Sequence, residues 1–429
     1  MTLNKILVAV WRNGYYEPVG FIYFNKQNGL GGFQYLQNYN GAPLDPIHLN
    51  YNVHPKNPNG NRNFIVKIES NPSLLHRVFQ NFLPAKWGGS VMAADYPEMT
   101  VMCGAEKLYF IGSRTVGGLS TKVVDGSERP KANEKPYLFE GGDNSLKNLS
   151  KLMQTSIDFF KKEIPLIDIP NARWGLTSHG GARPKVSMID GAGRNWIVKF
   201  DMPFDDVEGS TVEHALTVLA RSAGINAPET KVIVGSEGKK MFAIERYDID
   251  GNGRYFQTSM FSLMSQNISS IIDGDYKNMF DVLDAASSDP SSDKKELFRR
   301  MLFNVAVNNI DDHLENFSMI LKDDKWQLSP CYDITLDPQG RNHLTSIFGM
   351  HEIDLNNRSL VSNIASKVGI SAADALNILG DVVDAVADWQ AVFERCGVCE
   401  ADIAKVSDAF SAVEGKKHEN TASFGMGNY

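Results

Sequence analysis

Cysteine is scarce in this chain: Cys103, Cys331, Cys396 and Cys399 are the whole complement of 429 residues, too few for a disulfide framework. Cys396-Gly397-Val398-Cys399 is a lone C-x2-C with no second pair and no neighbouring histidines, which removes it from the zinc and redox classes. No apolar run approaches a membrane span. The run within Met1 to Trp11 is too short for a signal-peptide core and meets Arg12 and turn residues, so it reads as a first strand. A cytoplasmic protein with no membrane partner is expected. A positive balance is missing as well: 43 Lys and Arg stand against 51 Asp and Glu, a net charge of −8. With no Lys/Arg-rich face, the chain is not expected to hold nucleic acid by itself, and any DNA contact needs a basic partner. Internal repeats are absent.

What is present is enough apolar material for sizeable cores, 42% hydrophobic against 22% charged, spread over two or three domains. Residues 3 to 125 are short β-like runs separated by turns such as Asn57-Pro58-Asn59-Gly60-Asn61, with one helical patch near Ser73 to Leu83. Asp125 to Pro136, charged and proline-containing, reads as a linker. Asn144 to Lys162 has helical spacing through Leu146, Leu149, Leu152, Ile157 and Phe160. Beyond Asp248 the period is helical over 261–272, 277–286, 293–308 and 371–393, with Ser371 capping the last. Leu297, Met301, Leu302, Val305 and Ala306 are core positions. Gly415 to Tyr429 is polar and reads as a loose tail. The expected class is α+β, with a β-rich subdomain at 1–127, a second unit at 128–248 and a mainly helical one at 249–429.

The chemistry is densest between Asn309 and Asp333, N-I-D-D-H-L-E-N-F-S-M-I-L-K-D-D-K-W-Q-L-S-P-C-Y-D. Phe317 to Leu321 and Trp326 to Leu328 are strand candidates across a polar four-residue turn, Lys322 to Lys325. If Leu321 faces Trp326, then Asn316 faces Cys331 and Asp333 sits at the same open end of the ribbon. Asp311 lies five residues before Asn316. Asp-x4-Asn followed by a later Asp is the spacing by which kinases set a base beside a hydroxyl nucleophile and two oxygen ligands on magnesium. Phosphoryl transfer asks little covalent work of a protein, but it needs a metal to neutralise phosphate oxygens and a base to orient the hydroxyl. Asn and Asp supply the hard oxygens that Mg²⁺ prefers.

A second constellation lies upstream. Ser178-His179-Gly180-Gly181-Ala182-Arg183-Pro184-Lys185 precedes a hairpin, Val186 to Ile189 and Asn195 to Phe200. Small residues such as Gly181 and Ala182 let backbone N–H groups approach phosphate closely. Lys199 falls in the second strand, W-I-V-K-F, where an ammonium among apolar neighbours demands an anion. Glu213, on a helix with Ser210 or Thr211 as its cap and Gly224 as its stop, is a candidate partner for Lys199. Met241 to Asp248 reads as a buried strand ending in a polar corner, a candidate hinge for an adenine. The order loop, strand lysine, helix glutamate, strand, Asp-x4-Asn and Asp is that of kinase parts.

These residues resemble the HipA-type serine/threonine kinases of bacterial toxin–antitoxin modules. The resemblance rests on S-x-x-G-A-x-P-K at Ser178 to Lys185, I-V-K-F around Lys199, I-E-R-Y-D at Ile244 to Asp248, D-D-H-x-E-N-F-S at Asp311 to Ser318 and S-P-C-Y-D at Ser329 to Asp333. Arg114-Thr115-Val116-Gly117-Gly118-Leu119 looks like a fragment of the family's N-terminal subdomain. The resemblance implies a bilobal, phosphatidylinositol-kinase-like fold, ATP and Mg²⁺ as cofactors, and transfer of the γ-phosphate to a protein serine or threonine. It makes Asp311 the catalytic base, Asn316 and Asp333 the metal ligands and Lys199 the phosphate lysine. Glu245 and Tyr247 become the adenine contact, with His313 near the phosphates. Ser178 corresponds to a serine whose autophosphorylation ejects the Gly-rich loop; about two added negative charges there would repel bound phosphate. An aminoacyl-tRNA synthetase as protein substrate and a small DNA-binding antitoxin as partner are further implications.

Three positions depart from the family pattern: Arg183 where Gln is usual, Asp312 where a small residue is common and Glu315 where Lys is frequent. The adjacent acids leave Asp312 as a second choice of base, although only Asp311 has the five-residue offset to Asn316. Two other functions fit the same residues: a nucleotide-binding pseudokinase or regulatory protein without turnover, and a nucleotidyl transferase.

Overall fold

The structure, a computed structural model, describes residues 4–51, 63–67, 73–84, 86–112, 117–123, 146–161, 183–235, 238–251, 253–264, 270, 274–337 and 343–414. The expected linker at Asp125 to Pro136 and the tail from Gly415 lie outside the described residues, as do Arg114, Thr115 and Val116 of the Arg114 to Leu119 fragment.

Runs of β-branched and aromatic residues, such as Ile6 to Trp11 and Val19 to Phe24, form the first sheet. β1 (Asn4–Arg12), β2 (Tyr15–Asn25), β3 (Leu30–Tyr35), β4 (Asn63–Lys67) and β5 (Leu119–Val123) pair antiparallel in the order β4-β3-β2-β1-β5. Asn13 and Gly14, with φ of 54° and 81°, turn β1 into β2 as an Asn-Gly hairpin requires. Ile6, Val8, Val10, Ile22, Phe33 and Tyr35 from this sheet enter the largest hydrophobic core. Beyond the one-turn helix Arg77–Gln80 in the expected patch, the subdomain has helices at Lys86–Asp95 and Gly104–Ile111. Paired glycines at Gly88 and Gly89 lower helix propensity and hid the first of these from the sequence.

A second sheet holds β6 (Lys185–Ile189), β7 (Asn195–Phe200), β8 (Thr230–Val234) and β9 (Lys240–Glu245) in the order β6-β7-β9-β8, all antiparallel. Period two decides its faces. Trp196, Val198 and Phe200 pack with Leu149, Leu152, Met153 and Ile157 of helix Leu146–Phe160, which leaves Lys199 on the opposite face. Helix Gly209–Ser222 covers that side, and its Val212, Ala215, Leu216 and Leu219 join the large core with the C-terminal helices.

Its cap is not the expected Ser210 or Thr211. The N-cap residue is Glu208, and the Ser210 N–H is received by Asp201 Oδ2 at 3.1 Å, a carboxylate two residues beyond Lys199. Thr211 instead donates its hydroxyl to the Glu208 carbonyl at 3.0 Å.

After the ribbon β10 (Ile249–Asp250) and β11 (Gly253–Arg254) come three strands, β12 (Phe256–Ser259), β13 (Ser318–Lys322) and β14 (Lys325–Leu328), in that spatial order. The remainder is mainly helical. The 293–308 period is helix Pro290–Ala306, opened by Asp289 accepting from Ser292 N–H. The 371–393 period is two helices, Ala372–Ala387 and Trp389–Arg395, the first capped by Ser371. The chain breaks at Asp388, and Trp389 is stacked on Phe410 with centroids 4.1 Å apart. The 261–272 period yields only Met260–Leu263 before an extended Met264; most of the rest lies outside the described residues.

The first sheet grips the rest of the molecule through named contacts. Trp11 Nε1 donates to Asp250 Oδ2 (2.8 Å), Trp326 Nε1 donates to the Pro43 carbonyl (2.9 Å), and Asp324 receives the Ala42 N–H (3.1 Å) and pairs with Arg12. Gly118 fits only because it lacks a side chain: its φ is 77°, and a Cβ would lie 2.1 Å from the Arg254 carbonyl oxygen. Among the described residues, no helix is long and apolar enough to cross a membrane.

Candidate active site

Lys199 is the hub. Its Nζ donates to Glu213 Oε1 and to Asp333 Oδ1, each at 2.5 Å, and lies 5.5 Å from the Phe242 ring centroid. Burial opposes the ammonium, but Asp333 and Glu213 outweigh it and hold Lys199 above the ordinary lysine range. In return, Lys199 holds Asp333 well below the usual carboxylate range. Glu213 is shifted upward, because burial and Asp333 exceed the pull of Lys199. Strand, helix and distal loop therefore meet at one ammonium.

Asp311 lies in the loop after helix Pro290–Ala306. Its side chain is 49% exposed, and burial of the carboxyl raises it, opposed by His313 and reinforced by Asp333 and Asp312. His313 Nε2 is 3.8 Å from Asp311 Oδ1, while its buried Nδ1 has no partner among the described residues. Asn316 closes the loop: its Nδ2 donates to the Asp311 carbonyl at 2.7 Å, and no donor among the described residues meets its Oδ1. That bond ties together the two residues five apart.

Asp312 has a different life. It is 1% exposed, and its carboxylate receives the Tyr276 hydroxyl (3.0 Å), His343 Nδ1 (3.3 Å) and the Thr345 N–H (3.2 Å). Asn304 extends the network to Tyr276 (2.9 Å), and Asn309 extends it to Asn304 (3.1 Å). A carboxylate so engaged anchors the loop and has no face for a substrate hydroxyl. Sequence reasoning missed this network, whose members are scattered from Tyr276 to Thr345; the departure at Asp312 was its one visible sign.

The hairpin has the expected register, Leu321 opposite Trp326, but its turn is two residues. Asp323 and Asp324 take φ of 49° and 59°, as a tight primed turn needs. Asn316 does not face Cys331. The ladder ends at Met319–Leu328, Asn316 enters a short 3-10 turn, Leu314–Asn316, and the Cys331 N–H goes to the Asn226 carbonyl at 2.7 Å. That diversion carries Asp333, at φ 59°, across to Lys199. A non-glycine residue in the left-handed region is held there by its surroundings. Tyr332, also missed, hydrogen-bonds Ser318 Oγ (2.6 Å) and the Glu315 carbonyl (2.9 Å) while stacking on Tyr247 at 6.1 Å.

Glu245 ends β9, with its N–H on the Glu229 carbonyl (2.8 Å), and Tyr247 follows after Arg246, which forms a buried ion pair with Asp248 (2.7 Å). Ser178, Gly181 and Ala182 lie outside the described residues. Among the described residues no three His, Cys, Asp or Glu side chains form a self-sufficient metal cage. Asn316 Oδ1 and the Asp333 carboxylate are hard oxygens suited to Mg²⁺, whose remaining ligands would come from phosphate and water.

Residues 177–390 match the family described as HipA-like C-terminal domain. In sequence the chain is similar to "Putative kinase Y4dM" of Sinorhizobium fredii (strain NBRC 101917 / NGR234), 25% identical over 241 residues, 53% of this chain and 54% of that protein. The chain thus spans about half the length of the curated relative it matches. In structure it is similar to HipA of Shewanella oneidensis MR-1, solved with HipB and its operator DNA, with a TM-score of 0.64 at 16% identity over 96% of this chain and 97% of that one. That likeness carries the fold, an α+β bilobal kinase-like one. Through its 177–390 segment, this chain belongs to the HipA-like family.

Proposed function

We propose that this chain is an ATP- and Mg²⁺-dependent protein serine/threonine kinase of HipA type, able to phosphorylate itself at Ser178. The observation that carries the reading is the meeting of Lys199, Glu213 and Asp333 beside a loop in which Asn316 is bonded to Asp311. In this reading Lys199 holds an ATP phosphate, and Glu213 keeps its ammonium in place. Asp311, open to solvent where Asp312 is not, accepts the proton of the attacking hydroxyl. Asn316 Oδ1 and Asp333 hold Mg²⁺, which supplies neutralisation of the phosphate charge. His313, whose Nδ1 has no partner among the described residues, is the near neighbour of the transferred group. The corner at Glu245 to Tyr247 receives the adenine, and the backbone around Gly181 and Ala182 covers the phosphates.

The proposed protein substrate belongs to the translation machinery, with an aminoacyl-tRNA synthetase as the first to try. The proposed partner is a small DNA-binding antitoxin, since the Shewanella relative was solved with HipB and operator DNA. With a net charge of −8, this chain would reach DNA through that partner, in the cytoplasm. Intact-mass spectrometry after incubation with Mg·ATP tests the reading. One added phosphate, lost in both Asp311→Ala and Ser178→Ala, is expected. A mass gain of a whole AMP would replace it with nucleotidyl transfer, and ATP binding with no gain on the chain or a synthetase substrate would replace it with a pseudokinase.

A further inference from the structure

Lys185 is the other buried lysine at the site. It opens β6 directly opposite Lys199 on β7, so the two side chains share one face of the ladder. It is 7% exposed and makes no hydrogen bond or ion pair among the described residues, whereas Lys199 makes two. The charges acting on it are Asp333 and Glu213, which attract, and Lys199 and Arg183, which repel. Both nearby carboxylates are committed to Lys199. An ammonium buried without a partner is costly, and like charges directly opposite on a ladder are destabilising. The described residues of the nucleotide-free protein therefore leave that positive charge unsatisfied.

We infer that Lys185 is a second phosphate-binding cation, satisfied only when a nucleoside polyphosphate enters beside Lys199. The inference rests on the nucleotide reading above and deepens it: the site selects its nucleotide by phosphate charge through two lysines, one preset by Glu213 and one held in reserve. With Asp333 engaged as a metal ligand, the two ammonium groups would need an anion of more than one charge, which a triphosphate supplies and adenosine does not.

The test compares wild type, Lys185→Met and Lys185→Gln by calorimetry with Mg·ATP and with adenosine, together with thermal unfolding of the free and ATP-bound proteins. Either neutral variant is expected to lose roughly 10- to 100-fold in ATP affinity, as for a charge-assisted bond, and to hold adenosine within about twofold of wild type. Its nucleotide-free Tm rises, because an unpaired buried charge is gone, and the Tm gained on adding ATP shrinks. A merely structural lysine would instead lower the free-protein Tm and leave the ATP-to-adenosine ratio unchanged, and that result overturns the inference. If the Met variant does not fold, the Gln variant carries the same comparison. Wild type binding neither ligand sinks the kinase reading itself; wild type binding both, with the ratio kept in the variants, sinks only the role of Lys185.

Discussion

Replacing Asp312 by alanine separates the two adjacent acids. Asp312 is sealed from solvent and receives three donors, from Tyr276, His343 and Thr345. Deleting the carboxylate strands those donors, and a buried unsatisfied group costs about 1–3 kcal/mol. Allowing for relaxation around the space left behind, roughly 3–5 kcal/mol of stability should go. At ~2–4 °C per kcal/mol for a unit of this size, Tm should fall by about 6–20 °C. Asp311→Ala, at a half-exposed side chain outside the network, should shift stability by no more than ~0.5 kcal/mol while abolishing phosphate transfer. Differential scanning fluorimetry and urea titration read the first quantity; intact mass reads the second. Equal loss of stability in both variants would falsify the division into anchor and base. So would an Asp312→Ala protein that folds as well as wild type, or an Asp311→Ala protein that still transfers phosphate.

Lys199→Met should end ATP turnover and leave Glu213 as a buried acid without its cation, whereas Lys199→Met combined with Glu213→Gln should recover much of the lost stability and none of the activity; additive melting temperatures would refute the coupling. Asp201→Ala should cost about 1 kcal/mol as a lost helix cap and raise the ATP KM, with Asp201→Asn restoring both, and an unchanged KM with lowered stability would limit the residue to capping. In the nucleotide-free protein, burial pushes Lys185 down to about 8. Since the unfolded chain keeps that proton to about pH 10.4, stability should rise with pH across this window by roughly 3 kcal/mol relative to Lys185→Met; parallel denaturation midpoints at pH 7 and 10 would contradict it. Gly118→Ala places a Cβ against the Arg254 carbonyl at a positive φ and should destabilise by ~3 kcal/mol or more in urea titration.

The sequence made the local parts of the site readable and hid the long-range ones. The strand around Lys199, the helix around Glu213 and the register of Leu321 with Trp326 follow from periodicity and spacing within short windows. The pairing of Glu213 with Lys199 was legible because a lone ammonium in an apolar strand must find an acid. Asp201 as the acceptor of the first-turn Ser210 N–H was not, because Ser210 and Thr211 offered a local cap and the acid that serves that N–H follows the preceding strand. The end of the ladder before Asn316 was equally hidden: it depends on Cys331 finding the Asn226 carbonyl, more than a hundred residues upstream. Asp312 read as a rival base because adjacent carboxylates look alike until burial distinguishes them. Helix Ala372–Ala387 kept its expected start at Ser371, since a serine cap is a local device, and lost its expected length at Asp388, next to the Trp389 that stacks on the distant Phe410.

The grip of the first sheet on the β13–β14 turn also sets an order of events at the ribosome. Residues 4 to 123 leave first, yet Pro43, Ala42 and Arg12 await Asp324 and Trp326, about two hundred positions after the end of the sheet's last strand. At ~5–20 residues per second that interval is about 10–40 s. Throughout it, the nascent sheet must keep uncovered the apolar surface that it will later bury, a span in which a chaperone has time to act and in which premature termination leaves a fragment prone to aggregate.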